Sequence, residues 1–320
     1  MKKSAKGLGL AIIGGGRVGL FRGEVAARHP AVEWIGLAEK NPNRAGEVGS
    51  KVSADFVTQS HVELIKDAKL DAVVGYTQRF RRRWLAAKEK CRSGALGDVT
   101  LVTSRAFMNR LVAIDNYKRT DDPSTISPMV ISGTHALDIC MWCLEGKTPV
   151  EVYARSIDKV MGPLYQGIDA TAGMISFSDG TIYHLSMSWA MPVTWPAAVY
   201  SLEVGISGTT GVLTIDDTHR DIVLAVSKAQ SEGYNPDATR LVDFMGSYPP
   251  GDMALGELRG PMADETVSWL NRVSLGLPTA AATVEEAHRN LMLTKALDLS
   301  AKRKAPLKLP LDPEDVRAVA

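Results

Sequence analysis

Three glycines near the N-terminus have a spacing that suits the binding of a phosphate group. The stretch LGLAIIGGGRVGL contains Gly14-x-Gly16-x-x-Gly19 directly after an apolar run. In a strand–turn–helix unit the first glycine allows the tight turn, the second lets the backbone approach a pyrophosphate, and the third lets the helix pack closely on the strand. The helix N-terminus then presents N–H groups and the positive end of its dipole to the anion. A glycine-rich turn with no ligand is the alternative interpretation.

An acidic residue follows at the distance that a dinucleotide site requires. The next apolar run, AVEWIGLAE, ends at Glu39, which stands 20 positions after Gly19. A carboxylate at that place accepts hydrogen bonds from the adenosine ribose hydroxyls. It would repel a 2′-phosphate, so we expect NAD, with NADP left open by nearby cations. A surface glutamate at a strand end is the alternative. The expected cofactor-binding residues are Gly14, Gly16, Arg17, Val18, Gly19, Glu39, Lys40 and Arg44.

Length and composition limit the class of protein. A chain of 320 residues is long for one core, so two domains are expected. The net charge of +1 gives no electrostatic reason to expect nucleic acid or an anionic membrane as a partner. Three cysteines indicate a reducing compartment rather than a disulfide framework. No stretch approaches the roughly 20 apolar residues of a membrane helix, and the basic N-terminus lacks a signal-peptide cleavage site. We therefore expect a cytoplasmic protein.

Several stretches, in order over nearly the whole chain, resemble the glucose–fructose oxidoreductase/inositol dehydrogenase (Gfo/Idh/MocA) family. They are AIIGGGRVG, GLAEKNPNRAGEV, LDAVV, VGYTQRF with SGALGDV, SGTHALDICMWCLEG, FSDGTIYHLSMSW, LEVGISGTTGVLTI and PLKLPL. The resemblance implies an α/β protein with a Rossmann-type domain over residues 1–97. A second α+β domain over residues 98–320 would carry a large, mostly antiparallel open sheet. It also implies an NAD(P)-dependent oxidoreductase acting on a sugar, a polyol or a related hydroxy compound.

The chain departs from the family pattern at two places that concern chemistry. LDAVV and VGYTQRF share a valine and fuse, so two strand–helix units of together about 50 residues are missing. The missing part includes the family's Glu-Lys-Pro lysine, which anchors substrate and assists proton transfer. In the family's Asp-x-x-x-His pattern this chain has Ile131 and His135. His135 is thus the one expected catalytic residue, and we expect weak cofactor binding and little or no hydride transfer.

Other side chains are weaker candidates. Asp138 matches the family's acid after the histidine, where it more often orients the helix than does chemistry. Arg79, in the cluster that ends at Arg83, and two residues of the polar loop before His135 could contact a substrate, although a solvated helix face explains the cluster equally well. The expected substrate-binding residues are Arg79, Lys118, Asp121 and Asp138. Cys140 and Cys143 have redox or zinc spacing, but no second pair exists, so packing is favoured and no metal is expected.

Three functions follow from these observations. The first is the oxidoreductase, probed by NADH titration; the second is a catalytically silent nucleotide-binding or scaffold protein. An anion or nucleic-acid binder acting through the arginine cluster is a distant third, so the expected partners are a small molecule and a second copy, with no nucleic acid and no membrane. The family covers its open sheet by pairing subunits, so we expect a homodimer or homotetramer. The strand at residues 70–74 should lie at an early edge of the first sheet, covered by the PLKLPL segment, which is expected to be extended, or by a partner subunit. Asp179-Gly180 predicts the turn of a hairpin, and a helix is expected near residues 262–275.

Overall fold

The computed structural model describes residues 6–67, 76–120, 122–197, 199–216, 222–231, 239–245 and 250–319. The chain forms two compact units. Unit 1 comprises Met1–Arg81 and Pro249–Val284, and unit 2 comprises Arg82–Tyr248 and Glu285–Ala320. The predicted strand at residues 70–74 lies outside the described residues. The predicted domain boundary between residues 97 and 98 stays a prediction. It rests on the family resemblance, whereas the two units are defined by contacts between residues.

The described strands and helices alternate at first and then separate into a strand-rich middle and a helical end. The strands are β1 (Leu8–Ile13), β2 (Val32–Ala38), β3 (Phe56–Thr58), β4 (Val99–Asn109), β5 (Pro149–Ile157), β6 (Ala170–Phe177), β7 (Ile182–Met191), β8 (Val199–Gly208), β9 (Val212–Asp216), β10 (Ile222–Ser231), β11 (Thr239–Met245), β12 (Asp252–Ala254), β13 (Glu257–Arg259) and β14 (Leu307–Lys308). The helices are α1 (Arg17–Ala27), α2 (Pro42–Lys51), α3 (His61–Asp67), α4 (Arg82–Arg92), α5 (Arg110–Tyr117), α6 (Thr134–Cys143), α7 (Met161–Tyr165), α8 (Pro261–Ser274), α9 (Val284–Arg303) and α10 (Pro313–Val319).

Unit 1 is built on a short parallel sheet of order β1-β2-β3. Each strand is followed by a helix, which is the Rossmann-type arrangement that the sequence predicted. A late segment of the chain completes the unit. Trp269 and Leu270 of α8 bury apolar surface with Leu8 of β1 and Ala26 of α1. The sequence predicted a helix near residues 262–275, but nothing local in it shows that this helix packs with the first strand.

Unit 2 contains a larger, mostly antiparallel sheet of order β14-β5-β6-β7-β4-β8-β9, in which β4 and β7 run parallel. The predicted fold class, an α/β fold with a short parallel and a larger antiparallel sheet, is confirmed. The predicted hairpin at Asp179-Gly180 is also confirmed. Gly180 has φ 86°, and β6 and β7 pair on either side of the turn. Only glycine adopts such a φ without strain.

The unit 2 sheet has one buried and one exposed face. Val102, Ile175 and Tyr183 are fully buried and pack in one apolar cluster with residues of α4, α6 and α9. The strand neighbours that point the other way remain accessible: Leu101 is 43% exposed and Ile182, which pairs with it, is 39% exposed. Helices therefore cover one face within the chain, and the other face carries apolar side chains in contact with solvent.

The PLKLPL segment is extended, as predicted, but it occupies a different edge. Leu307 and Lys308 of β14 pair with Val152 and Glu151 of β5, at the edge of the unit 2 sheet. Its role in covering the edge of the first sheet stays a prediction, because the strand expected at that edge lies outside the described residues. Its backbone hydrogen-bonding groups are used by β5, where the apolar Leu307 side chain is buried.

No helix in the described part of the chain is both long enough and apolar enough to cross a membrane.

Candidate functional site

The glycine turn of unit 1 connects β1 to α1 and is fastened to the end of β2. Gly14 has φ 97°, a conformation that requires glycine here. Its N–H donates to the Ala38 carbonyl at 2.8 Å. Gly16 is the N-cap residue of α1 and has no side chain to satisfy the first amides of the helix. The free N–H groups at a helix start attract an anion, so the geometry of the turn suits the phosphate site that the spacing predicted.

The three motif glycines differ in the space that a side chain would find at each position. A methyl group on Gly19 would lie 2.0 Å from the Gly14 carbonyl oxygen, so Gly19 is needed for helix α1 to approach the turn. A methyl group on Gly14 or Gly16 would meet no protein atom within 4 Å. The side of the turn that faces away from the protein is therefore open at these two glycines.

Glu39 joins the glycine turn to the start of α2. Its Oε2 accepts a hydrogen bond from the Gly15 N–H at 2.6 Å, and its Oε1 accepts one from the Asn41 N–H at 2.9 Å. The Asn41 amide is the largest influence that lowers the pKa of Glu39. Burial opposes it, and the Gly15 amide and the Arg44 charge add to the lowering. The carboxylate is therefore ionised at neutral pH and held beside the turn.

Arg44 binds the backbone carbonyl of the same residue, Gly15. Its Nε donates to the Gly15 carbonyl at 2.8 Å and its Nη1 donates to Glu47 at 2.8 Å. Arg44 lies in the first turn of α2 because Asn41 caps that helix, accepting from the Asn43 and Arg44 amides. Sequence reasoning missed Gly15 as the residue that both charged side chains bind. The third consecutive glycine was the available signal.

The other predicted cofactor residues lie around this turn with less definite contacts. Arg17 and Val18 open α1, where Arg17 is half-buried and Val18 is 44% exposed. Lys40 is exposed between Glu39 and Asn41. The structure thus brings the motif glycines, Glu39 and Arg44 together, whereas Lys40 remains a solvated cation beside them.

His135 of unit 2 lies one residue into α6, directly after a π-helical turn formed by Met129–Gly133. Such turns occur frequently at functional sites. Burial lowers the pKa of His135, which favours the neutral imidazole at neutral pH. A neutral imidazole can accept a proton, so this environment suits a general base.

Two contacts hold the turn in front of His135. The hydroxyl of Ser127 accepts from the Val130 N–H at 3.0 Å and donates to the carboxylate of Asp298 in α9. Ser132 accepts from the indole N–H of Trp189 in β7 at 2.9 Å. The π-helical segment is therefore tied to both a helix and a strand of unit 2. Sequence reasoning missed Ser127 and Asp298, because they are 171 positions apart.

Ile131 occupies the position of the family's aspartate and makes apolar contacts there. Ile131 lies within the π-helical turn, is partly buried, and packs against the main apolar cluster of unit 2. Asp138, one helical turn after His135, is fully buried and accepts from the Asn290 amide of α9 at 2.8 Å. Asp138 thus joins two helices, which is the orienting role that the sequence favoured for it.

The arginine cluster divides between the interior and the surface. Arg79 lies in a 3-10 turn at Thr77–Phe80 and is only 1% exposed. It stands near Glu265 of α8, whose carboxylate also accepts from Thr77 at 3.0 Å and pairs with Arg22 of α1. Burial raises the pKa of Glu265, and the charges of Arg22 and Arg79 oppose that rise. Arg79 is therefore a buried cation of unit 1 with an anion beside it.

The remaining candidates lie apart from these contacts. Arg82 is exposed at the start of α4, and Lys118 is exposed at the C-terminal end of α5. Asp121 lies outside the described residues. Among the described residues, no group of three or more His, Cys, Asp or Glu side chains is placed to hold a metal ion.

Comparison with known proteins finds one matching domain family and several structures of similar fold. Residues 84–214 match the family model of the GFO/IDH/MocA C-terminal domain. Myo-inositol 2-dehydrogenase from Lactobacillus plantarum is similar in structure, with a TM-score of 0.67 and 15% identity over 95% of this chain and 99% of that one. Residues 84–214 are therefore similar to the C-terminal domain of the Gfo/Idh/MocA oxidoreductases, and the fold of the chain is similar to that of this inositol dehydrogenase.

Two further structures carry ligands that bear on the cofactor. Scyllo-inositol dehydrogenase from Lactobacillus casei with bound NAD(H) and scyllo-inositol has a TM-score of 0.65 and 14% identity, covering 95% of this chain and 99% of that one. GenD2 from gentamicin A biosynthesis in complex with NAD has a TM-score of 0.68 and 16% identity, covering 95% and 97%. No curated protein is significantly similar to the chain in sequence.

Proposed function

We propose that this chain is an NAD(P)-dependent oxidoreductase of the Gfo/Idh/MocA type, acting on a sugar, a polyol or a related hydroxy compound. When bound, the cofactor would supply the hydride acceptor or donor. The observation that carries the proposal is the position of the Glu39 carboxylate, 2.6 Å from the Gly15 amide of the open glycine turn. That geometry supports an adenosine ribose on Glu39 and a pyrophosphate on the first amides of α1.

We propose NAD as the preferred cofactor. The Glu39 carboxylate is ionised and would repel a 2′-phosphate. The cation that could offset this repulsion best, Arg44, already donates to the Gly15 carbonyl and to Glu47. Of the two cations Lys40 and Arg44, only Lys40 is exposed beside Glu39, so NADP is the weaker alternative.

We propose His135 as the proton donor or acceptor. Oxidation of an alcohol carbon removes a hydride and requires a base for the hydroxyl proton. Burial keeps the His135 imidazole neutral and able to take that proton. The family's second acid is replaced by Ile131, which packs against the core, and the family's lysine is missing from the sequence. The expected result is slow hydride transfer.

The same two absences favour a second function, a nucleotide-binding or scaffold protein without catalysis. Ile131 cannot hold or move a proton. In this case the glycine turn and Glu39 would still bind NADH, while His135 would serve only the packing of α6. The two functions predict the same binding and differ in turnover.

The test is a titration followed by a rate measurement. NADH is titrated calorimetrically into the purified chain and into Glu39→Ser, and oxidation is then assayed with NAD over inositols, other polyols and sugars. Binding that Glu39→Ser weakens, together with turnover that His135→Asn abolishes, supports the oxidoreductase. Binding without turnover on any substrate supports the silent protein.

Two outcomes contradict parts of the proposal. Absence of NADH binding at millimolar concentration removes both nucleotide functions. A turnover number of roughly 1 per second or more would show that the missing lysine and aspartate are dispensable, and the proposed impairment would be wrong. Because two inositol dehydrogenases are among the similar structures, ring polyols come first in the panel.

A further inference from the structure

The π-helical turn before His135 sets the register between this histidine and the chain that precedes it. The Thr134 N–H donates to the carbonyl of Met129, five residues earlier, which is the hydrogen bond that defines a π-helix. Such turns are rare and occur mostly as single turns within α-helices. If this turn relaxed to an α-helical one, the chain on its two sides would rotate relative to each other by one residue, about 100°. The direction of the His135 side chain therefore depends on the contacts that hold the turn.

Ser127 holds the start of the turn with both its backbone and its side chain. Its carbonyl accepts from the Ile131 N–H at 3.1 Å, and its hydroxyl oxygen accepts from the Val130 N–H at 3.0 Å. The hydroxyl proton goes to the carboxylate of Asp298 on α9. A serine hydroxyl has one proton to donate, so the carboxylate fixes the direction in which the oxygen presents its lone pairs to the turn.

Asp298 interrupts an apolar stretch of α9 and is incompletely satisfied there. Its neighbours Leu297 and Leu299 are buried in the main apolar cluster. The Oδ2 atom accepts from Ser127, whereas Oδ1 is buried without a hydrogen-bond partner among the described residues. An unpaired buried acceptor lowers stability, and burial raises the pKa of Asp298 to about 6. Helix packing alone therefore does not account for an acid at this position, and the contact that the acid makes is with the turn.

The other end of the turn and the helix after it have their own anchors. Ser132 accepts from the indole N–H of the fully buried Trp189 at 2.9 Å, and Asp138 of α6 accepts from the Asn290 amide at 2.8 Å. Both anchors lie at or beyond the end of the turn. The register of the turn therefore depends on what holds its Ser127 side.

We propose that Asp298 is a positioning residue that, through the Ser127 hydroxyl, holds the π-helical turn in the register that directs His135. The inference rests on the proposed role of His135 as the proton donor or acceptor. Asp298 acts through another residue and needs no contact with substrate or cofactor. Its acceptor oxygen rather than its charge does this, so an amide can replace the carboxylate and an alkyl group cannot.

The first measurement follows the His135 imidazole by NMR and needs no activity. The chain contains six histidines, and the His135 signal of isotope-labelled protein is the one missing in His135→Asn. Asp298→Asn should keep the wild-type titration of His135, because an amide oxygen still accepts from Ser127. In Asp298→Leu and in Ser127→Ala the turn should relax, and the more accessible imidazole should titrate nearer its ordinary pKa of about 6.5.

Urea unfolding separates a positioning role from a merely structural one. Asp298→Leu removes an acceptor that is buried without a full set of partners, so its urea midpoint at pH 7 should equal or exceed that of the wild type. Ser300→Ala is the matched control, two residues further along α9. The buried Ser300 hydroxyl accepts from the Ala154 N–H at 3.0 Å and donates to the Ala305 carbonyl at 2.7 Å. This control should lower the urea midpoint and leave the His135 titration unchanged.

Steady-state kinetics give a second readout in a wild type that turns over. The kcat of Asp298→Leu should fall on the order of 100-fold with the KM for the polyol nearly unchanged, because a misplaced proton acceptor slows the chemical step more than it weakens binding. Asp298→Asn should recover most of the lost kcat. A wild type without turnover contradicts the proposed oxidoreductase, and the His135 titration then decides by itself whether Asp298 positions the imidazole.

Two results would overturn the proposal. One is a wild-type His135 titration in Ser127→Ala, a variant that tests the same contact even where Asp298→Leu does not fold. The other is a His135 titration that changes as much in Asp298→Asn as in Ser127→Ala, because the charge of Asp298 rather than its acceptor oxygen would then be responsible.

Discussion

The Glu39 carboxylate and the Gly15 amide form a hydrogen bond of 2.6 Å across the corner where β2 ends and the glycine turn begins. The acid that should recognise the ribose is thereby positioned before any ligand binds. One oxygen also accepts from Asn41, so the carboxylate keeps its place when a hydroxyl group approaches. Because of this preorganisation, we propose that cofactor choice depends most on Glu39.

We expect Glu39→Ser to weaken NAD binding by about tenfold or more, since a hydrogen bond to a charged group contributes about 1.5–3 kcal/mol. The variant should also raise the affinity for NADP relative to NAD, because the repulsion of a 2′-phosphate is removed. Titrations of both cofactors measure this. Glu89→Gln, an exposed acid of α4, is the control; an unchanged NAD/NADP preference in Glu39→Ser would remove Glu39 from the site.

Gly19→Ala should destabilise unit 1 by about 1–3 kcal/mol and abolish NADH binding, because the added methyl group would lie 2.0 Å from the Gly14 carbonyl oxygen. Denaturant unfolding and calorimetry measure the two effects. Gly46→Ala is the matched control, since a methyl group there meets nothing within 4 Å and Gly46 lies inside α2. It should stabilise the helix by about 0.5–1 kcal/mol. Equal effects at both positions would contradict the close approach of α1 to the turn.

Removing the buried Glu265 carboxylate should lower the free energy of unfolding. Glu265→Ala removes the buried carboxylate that pairs with Arg22 and accepts from Thr77, and breaking such a buried pair costs about 3–5 kcal/mol. Urea unfolding should show the loss. Glu257→Gln, whose carboxylate is partly exposed and pairs with Arg28 and Arg259, should change stability by less than about 1 kcal/mol. A small effect at Glu265 would mean that its pair with Arg22 contributes little to the stability of unit 1.

Stability should fall as pH rises through the titration of Asp298. Burial raises its pKa to about 6, although the Ser127 hydroxyl and the Lys295 charge act in the other direction. An acid whose pKa is higher in the folded state than its unfolded value of about 3.9 contributes stability that is fully present below the unfolded pKa and is lost as pH rises through the folded pKa. The loss between pH 4 and 7 is on the order of 3 kcal/mol.

Asp298→Asn tests this pH dependence, because an amide oxygen can still accept from Ser127 but cannot ionise. Urea unfolding is measured from pH 4 to pH 7.5 for both proteins. The variant should gain stability relative to wild type as pH rises. Parallel curves would show that the pKa of Asp298 is not raised in the folded protein, and the predicted pH dependence of stability would be wrong.

The exposed face of the unit 2 sheet should pair two copies of the chain. Leu101 and Ile182 lie side by side on that face, and a homodimer or homotetramer would cover them. Light scattering should give at least twice the chain mass, and Ile182→Asp should shift the population toward monomer. Leu164→Asp, at an exposed residue of α7, should leave the mass unchanged. A monomeric wild type at micromolar concentration would contradict the prediction.

Local patterns predicted the parts of the fold and site that local forces determine. The glycine turn, Glu39 and the hairpin at Gly180 each follow from residues close together in the sequence, because a turn conformation or a strand end fixes them. Ser127 with Asp298 and Thr77 with Glu265 are 171 and 188 positions apart. Neither pair leaves a periodic or spacing signal, so only the packed structure reveals them.

The packing of α8 on β1 and α1 has a consequence for the order of events on the ribosome. Leu8 and Ala26 are synthesised long before Trp269 and Leu270, yet all four share one apolar cluster. The first strands and helices therefore leave the exit tunnel with an apolar surface that nothing yet made can cover. Unit 2 is mostly synthesised in between, and the glycine turn acquires its complete support only when the last quarter of the chain has been translated. A stalled or prematurely ended chain should accordingly be a substrate for chaperones that bind exposed apolar surface.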